Sequence, residues 1–258
     1  MPNGEYLRYV ALGDSQTEGV GDGDDTVGLR GWADRLAERL AAAEPRFGYA
    51  NLGVRGRLAG QVRDEQLEAA LALEPDLATV VAGVNDLMRP RFDAAEVAGH
   101  LEEMFAALTA AGARVATVTI PDVGRVVPLA RPLRARVFEL NARIRVAAGR
   151  HEVAVAETGL APVSTDPRLW AADRLHASPL GHERIAAAVA EALGLPGSDS
   201  GWAAPLPPRP ARPVWQTAAG ELRWAGGFLG PWLGRRILGR SSGDGRTAKR
   251  PQLSPVTL

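Results

Sequence analysis

Five short apolar runs punctuate the chain: Leu7–Leu12, Phe47–Leu52, Asp76–Ala82, Arg114–Ile120 and Glu152–Ala156. Each is followed by a glycine, a proline or a charged residue, the signature of a buried strand stopped by a turn. Between the runs, Trp32–Ala43, Gln61–Leu73, Ala95–Ala111 and Pro132–Ala148 place Leu, Val, Ala and Phe three and four residues apart. That spacing gathers the apolar side chains on one face of a helix. A last helix is announced by Ser178-Pro179, a capping hydroxyl followed by a proline whose fixed φ suits the first helical position, and it extends to about Leu193.

Strands alternating with helices of this length build βαβ units, whose right-handed crossovers cover both faces of a mostly parallel sheet. The predicted fold is α/β: a flavodoxin-like three-layer sandwich with a five-stranded parallel sheet in the order 2-1-3-4-5, plus a helical C-terminal extension. In that order strands one and three flank the point where the winding reverses, and ligands gather beyond the carboxyl ends of the strands there. The loops after the first three strands are therefore the places to look for chemistry.

The pattern changes near Pro196. Residues 1–196 read as one body, 197–213 as a Pro-rich linker, and 214–258 as a basic amphipathic extension with a mobile tail. Within the extension Trp215–Leu229 and Pro231–Leu238 are the helical pieces, and the stretch from Ser241 is polar. The 258 residues carry no formal net charge, yet from Gly201 onward nine basic residues stand against two acidic ones, leaving +7 there and −7 on residues 1–200. Tryptophans and arginines in this arrangement suit either an interfacial helix on anionic lipid or packing against the acidic body. The charge balance and the break at Gly230-Pro231 favour packing.

Composition closes several routes. Without cysteine there is no disulfide framework, thiolate nucleophile or cysteine metal site. The start, Met1-Pro2-Asn3-Gly4-Glu5, lacks the basic and apolar stretches of a secretory signal, and no segment stays apolar long enough to span a bilayer, so a cytoplasmic protein is expected. Gly19-Val20-Gly21-Asp22-Gly23-Asp24-Asp25 has the glycines of a phosphate loop, but its aspartates would repel phosphate, and it reads as a flexible loop bordering a pocket. His100, His151 and His182 read as structural. No metal, cofactor or nucleic acid is expected, and the only lysine, Lys249, leaves no lysine chemistry to the body.

Four pieces carry candidate chemistry. Ser15 stands two residues beyond Gly13, where the first strand hands over to a loop. Gly53 follows the second strand, where a glycine either lets backbone approach something closely or simply makes a turn. Asn85, after the third strand, offers an uncharged amide donor able to meet developing negative charge. Asp173-Arg174-Leu175-His176 puts a carboxylate three residues ahead of an imidazole; by itself this fits a surface contact, and equally a carboxylate that fixes the tautomer and leaves the other nitrogen as a base for a serine hydroxyl. Arg30 and Trp170 are further pocket candidates by proximity alone.

Together these pieces resemble the SGNH hydrolases, also called GDSL lipases and esterases, over about residues 5–195. Gly13-Asp14-Ser15 matches the first block, Gly53 the second, Gly83-Val84-Asn85-Asp86 the third and Asp173-Arg174-Leu175-His176 the fifth; Gln16 departs from the leucine in the family's name. The resemblance implies a nucleophile Ser15, a base His176 oriented by Asp173, and an oxyanion held by the Ser15 and Gly53 amides and the Asn85 side chain. It implies a small-molecule acyl ester as substrate, of any acyl length and with a lysophospholipid among the candidates, and no cofactor. Thioester hydrolysis, carbohydrate deacetylation and acyl transfer stay open on the same residues, as does a non-catalytic flavodoxin-like binding module.

Overall fold

The computed structural model describes residues 6–208, 224–230 and 242–256. Its central sheet has six strands: β1 (Arg8–Gly13), β2 (Gly48–Asn51), β3 (Leu77–Val81), β4 (Arg114–Val118), β5 (Ala154–Ala156) and β6 (Arg250–Pro255). Their order across the sheet is β5-β4-β3-β1-β2-β6. The five expected strands are parallel and keep the expected order. The count of five is corrected by β6, which adds antiparallel to the outer side of β2 with a bulge between Tyr49 and Asn51.

The tail expected to be mobile thus supplies an edge strand. Arg250-Pro251-Gln252-Leu253-Ser254-Pro255 has no clean alternation, and its prolines are tolerated only at an edge, where one side of the ladder needs no donor. Charge complementarity brings the tail in: Lys249 Nζ lies 2.6 Å from Asp34, and Arg246 pairs with Asp25 at 2.5 Å. Asp25 also meets Arg55 at 2.9 Å, and Arg55 meets the buried Glu18 at 2.7 Å, so ion pairs run from the tail to the turn after β1. A chain ending at Gly245 is expected to unfold at lower temperature and to self-associate through the unpaired β2 edge. Calorimetry and size-exclusion chromatography check this; no change in either would show that β6 adds nothing.

Among the described residues, five helices of ten or more residues cover the sheet: α1 (Trp32–Ala41), α2 (Ala59–Ala72), α3 (Ala94–Ala110), α4 (Arg134–Arg150) and α5 (Pro179–Ala192). The stretch Pro128–Leu133, partly expected as α4, is a 3₁₀ turn before it. On one face α2, α3 and α4 bury Val62, Leu101, Phe105 and Ile144 against Val10, Leu12 and Val80; on the other, α1 and α5 bury Trp32, Leu36 and Val189 against Tyr9, Ala11 and Tyr49. Each such side chain contributes about 1.5–3 kcal/mol of burial. The chain is buried from Tyr9 through the end of β1 to Ser15, so the carboxyl end of the strand is held from both layers.

The glycine- and aspartate-rich loop is a small antiparallel hairpin, Gly23–Asp24 with Gly28–Leu29, rather than an open loop. Of the extension's predicted helices, only 224–230 lies among the described residues, and it is helical with a π turn at Ala225–Leu229. Residues 214–223 and 231–241 lie outside them. Among the described residues no helix is long and apolar enough to cross a membrane.

Candidate active site

At the end of β1 the chain turns sharply into a single helical turn, Ser15–Glu18. Asp14 caps it, its carboxylate accepting from the Gln16 amide at 3.1 Å. Gln66 of α2, a residue no sequence signal singled out, clasps Gly13 with both ends of its amide, at 2.8 and 2.9 Å. Ser15 is thereby fixed at the first helical position, beside the crevice between β1 and β3.

His176 arrives from a loop braced just beyond it, at Ser178. Ser178 caps α5 by accepting from the Gly181 amide at 3.2 Å, and the Ser178 amide donates to Leu169 O at 2.9 Å. Ser15 Oγ lies 2.9 Å from His176 Nε2, and His176 Nδ1 lies 2.6 Å from Asp173 Oδ2. The carboxylate assigns the Nδ1 proton to the Asp173 side, which leaves Nε2 as the acceptor facing the hydroxyl. Asp173 Oδ1 accepts from the Leu175 and His176 amides at 2.9 and 3.0 Å. Burial raises the Asp173 carboxyl, but the His176 contact and these two amides outweigh it and hold the group below its ordinary value.

Gln16, where the family's name has leucine, spans the gap between the two loops. Its Nε2 donates to Leu175 O at 3.0 Å and its Oε1 accepts from the Ala177 amide at 3.4 Å, so one side chain grips the backbone on both sides of His176.

The glycine expectation needs correction. Gly53 is buried, and its amide donates to Asn51 Oδ1 at 3.0 Å, so that N–H is already engaged. A side chain at Gly53 would sit 2.8 Å from the Glu18 nitrogen; this glycine exists to let the second loop pack on the Ser15 turn. Asn51, also unnoticed in the sequence, ties the same turn through Thr17 O at 2.8 Å. The glycine bordering the site is Gly56, three residues on, with φ 81 in the left-handed region. Neither its amide nor that of Ser15 has a hydrogen-bond partner among the described residues. Its signal was a second glycine in the same loop, Gly53-Val54-Arg55-Gly56, and only geometry separates the two.

Asn85 is brought to the same place. Its Nδ2 donates to Asp14 Oδ2 at 3.2 Å and to Arg57 O at 3.0 Å. Asp14 is buried, and burial pushes its carboxyl up to about 7. Asp86 accepts from the Ala59 amide at 3.0 Å and so fixes the start of α2. Ser15, Asn85, Gly56 and His176 border a cavity of about 520 Å³ whose walls are mainly aliphatic and aromatic, Trp170 among them. Arg30 does not border it and instead pairs with Glu38 at 2.6 Å. Among the described residues no three His, Asp or Glu side chains cluster as metal ligands.

A model of the GDSL-like Lipase/Acylhydrolase family matches residues 11–184. The chain belongs to this family. No curated relative matches it, but solved structures share the family fold. LAE5, an alpha/beta hydrolase from the metagenome of Lake Arreo, Spain, is 24% identical with a TM-score of 0.61, covering 75% of this chain and 97% of that one. A variant of Axe2, an acetyl xylan esterase from Geobacillus stearothermophilus, is 20% identical with a TM-score of 0.61, covering 75% and 96%. The lipase/acylhydrolase from Enterococcus faecalis is 23% identical with a TM-score of 0.56, covering 72% and 94%. The family match ends within α5, so β6 and the 224–230 helix lie beyond it.

His182, one turn into α5, supports this GDSL-like site from below without bordering it. It is buried, accepts from the Trp32 amide at 3.1 Å and donates to Val20 O at 3.1 Å. Burial lowers its pKa from 6.5 to about 4. The unfolded chain therefore takes the proton first, so this contribution to stability is complete above about pH 6.5 and is lost as pH falls toward 4. Asp14, with its value raised, acts with the opposite sign over the overlapping range. Comparing the native chain with His182→Gln isolates the histidine. The stability difference in denaturant titrations is expected to shrink by about 3 kcal/mol from pH 7 to pH 4, and a difference independent of pH would exclude the buried neutral imidazole.

Proposed function

We propose that this protein is a serine esterase that cleaves carboxylic esters through an acyl-Ser15 intermediate. The observation that carries the reading is the Ser15–His176–Asp173 relay of 2.9 and 2.6 Å at the wall of an apolar cavity. An unassisted serine hydroxyl is a weak nucleophile, and this contact supplies its base. Ser15 Oγ attacks the ester carbonyl carbon while His176 Nε2 takes the hydroxyl proton. Asp173 keeps the imidazole in the right tautomer and stabilises the imidazolium that forms. As the tetrahedral intermediate collapses, the C–O bond to the alcohol breaks and His176 returns the proton to the departing oxygen. Water, deprotonated by the same nitrogen, then attacks the acyl carbon; the bond from that carbon to Ser15 Oγ breaks, His176 returns the proton to Oγ, and the acid leaves.

The amides of Ser15 and Gly56 and the Asn85 side chain are the donors for the oxyanion, with Gly56 in place of Gly53. Asn85 Nδ2 would take up the developing charge by exchanging its longer contact, the one to Asp14. Apolar walls favour an acyl chain over a sugar in the cavity. In the likeness to Axe2, the solved catalytic mutants of that esterase replace a serine, an aspartate and a histidine, in keeping with this reading.

The test is hydrolysis of p-nitrophenyl esters from acetate to long acyl chains without added metal, with mass spectrometry of quenched reactions. Turnover with an acyl adduct on Ser15 is expected. Turnover with no adduct at Ser15, or no turnover with any chain length, would overturn the reading.

A further inference from the structure

The loop that presents His176 is held from one side by Gln16 and from the other by a residue that lies well outside the family match. Trp224, nearly buried in the 224–230 helix, donates its indole Nε1–H to the main-chain carbonyl of Asp173 at 2.9 Å. Its ring lies 4.8 Å from the guanidinium of Arg174, the next residue in the loop. Arg174 has φ 58, a left-handed conformation that a non-glycine residue keeps only when its surroundings impose it. Trp224 also borders the cavity, together with Phe228 one turn on.

We infer that Trp224 is a positioning residue for the Asp173–His176 pair, supplied to the site by the C-terminal extension. The geometry leads there directly. The Asp173 carboxylate is aimed by its own main chain, because Oδ1 is fixed on the amides of Leu175 and His176 and Oδ2 is then left to His176 Nδ1. Whatever pins the Asp173–Arg174 peptide therefore aims the imidazole. Trp224 pins it twice, through the indole N–H on its carbonyl and through the aromatic face beside the following side chain. The contact is local to the loop: Gln16, the Ser178 cap and the Ala171–His176 backbone bond hold the rest of it. Removing the indole donor is thus expected to loosen the aim of His176 and leave the fold in place, and small misplacements of a catalytic base lower rates steeply.

Two full-length variants test this. Trp224→Phe keeps an aromatic ring without the donor, and 3-benzothienylalanine introduced at position 224 keeps the whole bicyclic shape and removes only the N–H. The native chain is expected to show a downfield proton resonance from the Asp173–His176 hydrogen bond that broadens or moves upfield in both variants. Phosphonylation of Ser15 by a fluorophosphonate, in which the serine oxygen bonds phosphorus and fluoride leaves, is expected to slow by about tenfold, the effect of one lost hydrogen bond. For a p-nitrophenyl ester, kcat is expected to fall by about the same factor with KM within about twofold, and the unfolding temperature by no more than about 4 °C.

An unchanged resonance together with an unchanged phosphonylation rate in the benzothienyl variant overturns the assignment. So does a loss of rate matched by a loss of the folded baseline in both variants, because that places Trp224 in the fold rather than in the aim of His176. The kinetic arm rests on the esterase reading, whereas the resonance and the phosphonylation need no ester. A native chain that is phosphonylated at Ser15 but cleaves no ester would count against that reading while these two measurements still decide Trp224.

Discussion

His176→Ala is expected to lower ester turnover by about 10⁶, Ser15→Ala by a similar factor, and the double variant no further than either alone. The expectation follows from the contact chain. The hydroxyl of Ser15 lies 2.9 Å from the base proposed for it, His176 Nε2, and each proton transfer of the proposed reaction passes through that nitrogen. Removing either partner therefore removes the same event, and their losses do not add. Asp173→Asn is expected to cost less, about 10⁴, because a neutral amide leaves the imidazole in place but no longer enforces its tautomer. Activity of about 10³–10⁴ over water should survive in all of them through the remaining oxyanion donors. Steady-state kinetics on the best p-nitrophenyl ester, with circular dichroism to verify the fold, provide the check; additive losses in the double variant would mean that Ser15 and His176 do not act as a unit.

Asn85→Ala is expected to keep the fold and to lower turnover by about 10² to 10³, the loss typical of one oxyanion donor, or about 3–4 kcal/mol of transition-state stabilisation. Asn85 is pre-aimed, with Arg57 O holding one of its N–H bonds at 3.0 Å while Asp14 shares the other at 3.2 Å. The loss should fall on kcat more than on KM, since the donor meets charge that exists only in the transition state. Asn85→Asp should fall further, because an acceptor and a negative charge then face the oxyanion beside a second carboxylate, Asp14. Near-normal kcat in a folded Asn85→Ala would take this side chain out of the reaction.

The core of this molecule was written locally. Parallel strands buried on both faces must be continuous apolar runs, and amphipathic helices must repeat every three to four residues, so the elements and their order could be read directly. The candidate relay was legible for a different reason: Ser15 and Asn85 follow strands β1 and β3, Asp173 stands three residues ahead of His176, and these blocks in order resemble the family, although each block alone also fits a turn or a surface contact.

What escaped the sequence depends on contacts between segments far apart in it. Gly53 and Gly56 are the same residue three positions apart, and which amide is free follows from where Asn51 points. Gln16 looked like a departure from a motif, and its meaning lies in the backbone of residues 175 and 177, some 160 positions away. β6 has too little alternation to declare itself and forms because β2 offers an unpaired edge beside acidic partners for Arg246 and Lys249. The sequence by itself determined the α/β fold, because periodicity is a local property, and it named Ser15, His176 and Asp173 as candidates through the order of their motifs and the family resemblance those motifs carry. Only the tertiary structure decided which glycine borders the site, what the tail does and that Trp224 grips the histidine loop, because hydrogen-bond partners are chosen by position in space.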